Sequence, residues 1–147
     1  MASFVYSDFK RAILAGEINM GSGGNDIREM LVMTNTTADT QEDSKFISDF
    51  TTLDEYDGAN YARKAYANEA VAVDNPNNRG EFDADDVTYT SLGAGTRQAQ
   101  ARVIYKHVGA DSANLVIAFV DTGGFPFTGN GGNVVVTMNV EGLLQAT

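Results

Sequence analysis

Glu81–Asp121 reads EFDADDVTYTSLGAGTRQAQARVIYKHVGADSANLVIAFVD, and its rhythm decides the fold. Val87–Tyr89, Ala99–His107 and Leu115–Val120 are rich in β-branched, aromatic and aliphatic residues. Each run is closed by a cluster of Gly, Ser, Asn or Asp, residues that supply turn conformations. Three successive strands are the reading, and the rest of the chain must find a face or an edge of that sheet. The composition supports one domain over residues 1–147, with 43% hydrophobic residues and fifteen glycines against two prolines.

Upstream, Ser3–Glu17 reads as either a short helix or a strand. Ser7 or Asp8 would cap the helix, Phe9, Ile13 and Leu14 would form its apolar stripe, and Gly16 would stop it. A strand over Arg11–Leu14 is the alternative. The segment 1–10 can also extend from the domain. Ile27–Met33 (IREMLVM) is a short apolar run between GSGGN and TNTT, hence a buried strand. Asp43–Phe50 has a helix start at Asp43 or Ser44 and an apolar stripe of Phe46, Ile47 and Phe50. Asp57–Gly58 offers a positive φ for a tight reversal.

Tyr61–Val73 reads as a strand running into the turn cluster Asp74–Gly80 (DNPNNRG), a hairpin connection. Asp121–Asn133 (DTGGFPFTGNGGN) is the long loop, and Val134–Val140 the last strand, with Val134, Val136, Met138 and Val140 on one face. Six to eight short strands with one or two short helices predict a mainly β, antiparallel sandwich or barrel-like domain.

Charge and chemistry narrow the function classes. A net charge of −10 repels phosphate, and lysine and arginine are scattered, which argues against nucleic-acid binding. The apolar runs are too short to span a bilayer as helices, so no membrane partner is expected. The N-terminus lacks the pattern of a signal peptide. Without cysteine there is no disulfide or thiolate metal site, and His107 is the single histidine. Glycine-rich stretches at Gly21–Gly24, Gly93–Gly95 and Gly129–Gly132 lack the G-K-[ST] of a phosphate loop and read as turns. Asp83, Asp85 and Asp86, or Asp54, Glu55 and Asp57, offer oxygens to a hard cation but miss the EF-hand pattern. No catalytic residue, metal site or cofactor is therefore expected.

Several segments in order resemble a family of small virion proteins of tailed bacteriophages. They are Phe9–Ile18 (FKRAILAGEI), Asp26–Met33 (DIREMLVM), Leu53–Ala62 (LDEYDGANYA), Phe82–Thr90 (FDADDVTYT), Ala99–His107 with Leu115–Asp121, and Asn130–Leu144 (NGGNVVVTMNVEGLL). The resemblance implies a non-enzymatic capsid cement or decoration protein on the outer capsid surface. Its partners would be the major capsid protein and further copies of itself, as a dimer or trimer. A tail, fibre or baseplate component is the alternative within the virion, and a carbohydrate- or calcium-binding module the alternative outside it. Exposed aromatics favour partner contacts, which singles out Phe4, Tyr6 and Phe9 in the N-terminal segment and Phe125, Pro126 and Phe127 in the long loop.

Overall fold

The strand pair in the stretch quoted above forms the middle of the main sheet. The computed structural model describes residues 2–139 and the backbone of 144–146. Strand β1 (Phe4–Val5) leads into helix α1 (Ser7–Leu14), followed by β2 (Ile27–Met33), β3 (Lys64–Ala65), β4 (Ala70–Asp74) and β5 (Arg79–Asp83). Then come β6 (Val87–Tyr89), β7 (Ala99–Lys106), β8 (Leu115–Val120), β9 (Val134–Val136) and β10 (Leu144–Ala146). The protein is mainly β, and every described pairing between strands is antiparallel.

The main sheet runs β1-β8-β7-β2-β3; β10-β5-β4 and β6-β9 form two smaller sheets. β2, β7 and β8 are buried on both faces, so they read as nearly continuous apolar runs rather than alternating ones. One face carries Met30, Val32, Val103 and Phe119 into a core completed by Ala38, Ile47 and Phe50 from the irregular segment after β2. The other carries Ile27, Leu31, Ile104 and Ile117 against Phe9 and Ala12 of α1, Phe82 of β5, and Val87, Tyr89 and Val136 of the β6–β9 pair. Both edges of the main sheet, β1 and β3, are two residues long, which limits the backbone they leave open.

Several expectations are corrected. The N-terminal segment does not extend away: β1 pairs with β8, Phe4 opposite Phe119, and the Tyr6 amide donates to Ile117 O. Ser7–Leu14 is helix rather than strand, and Gly16 ends it at φ +69°. Its buried residues are Phe9 and Ala12, however, while Ile13 and Leu14 face solvent. In place of a helix over Asp43–Phe50 there is a single 3-10 turn, Ile47–Asp49. The Asp49 carboxylate turns back to accept the Lys45 and Phe46 amides.

Tyr61–Val73 breaks into β3 and β4, with left-handed backbone at Asn60 and Asn68 on either side of β3. Asp74–Gly80 does connect a hairpin, β4 to β5, with Asn78 at φ 53°. The last expected strand is regular over Val134–Val136; Val140 lies outside the described residues.

Candidate functional site

β2 and β7 carry a buried arrangement of charge that sequence reading missed. Glu29 of β2 and Arg102 of β7 both point into the core beneath α1 and the small sheets, Glu29 fully buried and Arg102 1% exposed. The Glu29 carboxylate accepts from Tyr66 Oη at 2.7 Å, Tyr89 Oη at 2.9 Å and Arg102 Nη1 at 3.2 Å. Arg102 Nη2 donates onward to Thr137 O, and Nη1 meets Met138 Sδ. Burial, reinforced by the Glu29 charge, pushes both phenols well above their ordinary range. They stay protonated and serve as fixed donors. A buried carboxylate is tolerated when paired and hydrogen-bonded, and here three neighbours share that task. Chemically the cluster is a lock, joining β2, β7, the segment before β4, β6 and the chain after β9.

A second knot forms where loops meet. Tyr56 Oη donates to Gly93 O at 2.8 Å and accepts from Gly95 N and Gly129 N at 2.9 and 3.1 Å. The neighbouring glycines are there for close approach. A Cβ on Gly58 or on Gly129 would sit 2.3 Å from Gly93 O, a distance that forces the backbones apart. Gly58 therefore does not serve the positive φ expected of it; that conformation falls on Asn60, at φ 63°, and on Asp54, at φ 46°. The glycine-rich stretches at Gly93–Gly95 and Gly129–Gly132 are parts of this knot.

Most of the acids singled out as cation ligands have partners on their own chain. Asp54 holds Arg97 and the Asn35 amide, and the hydrogen bond from Arg97 keeps its carboxyl below the usual range. Glu55 and Asp111 bracket Arg63, whose guanidinium lies over the Tyr105 ring. Asp57 takes Thr96, Asp85 takes Asn68, and Asp86 takes the Met138 amide. Among the described residues no three His, Asp or Glu side chains are placed to share a metal ion.

The six expected contact residues divide. Tyr6 and Phe9 are corrected to core positions: Tyr6 is fully buried, its hydroxyl on Ala38 O, and Phe9, on the inner face of α1, is 3% exposed. A short apolar segment can satisfy its aromatics against its own sheet, and this one does. Phe4 is half-buried, stacked on Phe119 at 5.6 Å. Phe125 and Phe127 are half-buried with ring centroids 5.3 Å apart, and Pro126 between them is exposed. Phe127 and Ala99 exchange both backbone hydrogen bonds, which ties this loop to the start of β7. Ser3 Oγ donates to Asp121 Oδ1 at 2.6 Å, so the two segments leave one end of the sheet. Their rings pack on opposite faces, Phe4 with the Tyr6 core and Phe125 with the Phe9 core. No family model, curated protein or solved structure gives a significant match to this chain.

Proposed function

We propose that the chain is a non-enzymatic structural protein of a bacteriophage virion. It would act as a cement or decoration protein that binds the major capsid protein on the outer head surface, as a homo-oligomer. The observation that carries this reading is the Phe125–Pro126–Phe127 apex. Exposed Pro126 stands between two half-buried rings on a loop held to β7 by paired backbone hydrogen bonds. An aromatic contact that is already ordered loses little entropy on binding. The ordered resemblance of segments to small virion proteins supports the setting, and the charge of −10 suits a surface facing away from packaged DNA. Repeated over a shell, a modest contact gains strength through avidity.

The test is removal and return. Capsids stripped of the protein are expected to lose heat resistance and to regain it on add-back, with a Phe125→Ser/Phe127→Ser variant rebinding more weakly. Unchanged heat resistance together with failure to rebind overturns the reading. Density on the tail in electron micrographs of intact virions moves the protein to the tail alternative. Calorimetric binding of calcium or a glycan would favour the binding-module alternative.

A further inference from the structure

The β4–β5 hairpin has an edge unlike the others. β5 lies along one side of β4, and among the described residues no strand pairs with the other side. Edge strands are normally blunted by charge, proline, a bulge or shortness. β1 and β3 are short, whereas β4 is five residues long and its Ala70–Val73 run has no charge and no proline. Val71 and Val73, two apart and so on one face, are 61% and 74% exposed; Ala70 and Ala72 on the other face are also exposed. Opposite them β5 already accepts a short extended segment, since β10 lies along its far edge with Leu144 opposite Phe82. The hairpin is thus built to take a strand from elsewhere on one side and stands open on the other.

Charge selects the occupant. Residues 69–86 contain six acids, Glu69, Asp74, Glu81, Asp83, Asp85 and Asp86, against one base, Arg79. Six negative charges less one positive leave −5, half of the chain's −10 in eighteen residues. Arg79 is engaged with Asp74 and Glu81. A second copy laid edge to edge would set one such field against another, and like charges in register oppose pairing. We propose that the open edge of β4 receives an extended, basic segment of a partner protein as an added strand. Backbone hydrogen bonds would supply affinity, Val71 and Val73 would cover alternate apolar side chains, and lysine or arginine between them would meet the acids. This holds wherever in the virion, or outside it, that partner resides.

The probe is a capped six-residue peptide of alternating lysine and valine, added to the full chain at low salt and followed by amide shifts and hydrogen exchange. Shifts and new protection are expected at Ala70–Asp74. Two control peptides separate the causes: one with glutamate for lysine tests charge, and one with proline for valine keeps the charge but cannot form a ladder. Both should bind about tenfold more weakly or worse. The exposed Val71→Thr/Val73→Thr variant, checked for an unchanged fold by circular dichroism, should bind the lysine–valine peptide more weakly. Equal binding of the proline control, or shifts scattered over the acidic surface, overturns the strand pairing. Concentration-dependent dimerisation at low salt that the same variant abolishes assigns the edge to a second copy and overturns the proposal.

Discussion

β2 carries a glutamate into the middle of the molecule, while β4 carries two valines out of it. Inside, both oxygens of Glu29 have a donor, and three further segments converge on the ion pair between β2 and β7. On the hairpin, two aliphatic side chains that would each contribute about 1.5–3 kcal/mol if fully buried stay largely in water. A polar group is inside because its partners are supplied from distant parts of the chain. The two valines are outside because the described residues leave them largely uncovered. The first region defines the fold, and the second contributes little to it.

Four measurements can break or sharpen that contrast. Glu29→Ala strands Arg102 and removes the acceptor of two phenols, and it is expected to cost about 3–5 kcal/mol in urea unfolding. A loss under about 1 kcal/mol would mean that the cluster does not hold the sheet together. Tyr56→Phe leaves three backbone groups of the glycine knot without their hydroxyl partner and should cost about 1–3 kcal/mol.

Acid should act through the arginine–carboxylate pairs. The folded states of Asp54 and Asp111 hold the carboxyls below their ordinary range, chiefly through hydrogen bonds from Arg97 and Arg63. Their contribution is complete above about pH 4, the unfolded value, and is lost as pH falls through the lowered folded values. Urea midpoints should therefore drop between about pH 5 and about pH 2, and less steeply for Asp54→Asn. An unchanged slope would detach Asp54 from the pH dependence. Val71→Thr/Val73→Thr should change stability least, by about 0.5 kcal/mol or less. A cost matching that of Tyr56→Phe would erase the difference between the two regions.

Sequence pattern revealed the centre of the fold and little of its internal chemistry. β2, β7 and β8 are legible because continuous apolar runs bounded by turn residues have few other uses. The β4–β5 connection is legible because Asp74–Gly80 is dense in residues that tolerate turns. The end signals of α1 are legible but leave helix and strand open, and the buried side cannot be chosen locally: the fold selects Phe9 and Ala12 over Ile13 and Leu14. Glu29 and Arg102 look like solvated charges when each strand is read alone. Only the pairing of β2 with β7, 73 residues apart at this contact, brings them together. Burial of Tyr6 and Phe9 is hidden for the same reason, since their cover comes from Ala38 and Phe50 on one face and from the main sheet on the other. The glycines about Tyr56 could have been suspected of close approach from their number, although which backbones approach depends on three loops meeting.

The long reach of the main-sheet pairings also sets an order in time. Ala70 finds Asp83 across a short turn, whereas Phe4 must find Phe119 and Glu29 must find Ile104. Closing long loops before they are rewarded slows folding, and sheets dominated by distant pairings take milliseconds to seconds. The hairpin can therefore form while the main sheet is still searching, and it exposes Ala70–Val73 to every other nascent chain during that interval. Its acidic flanks then act as a kinetic guard, keeping identical chains apart until the slower sheet has closed.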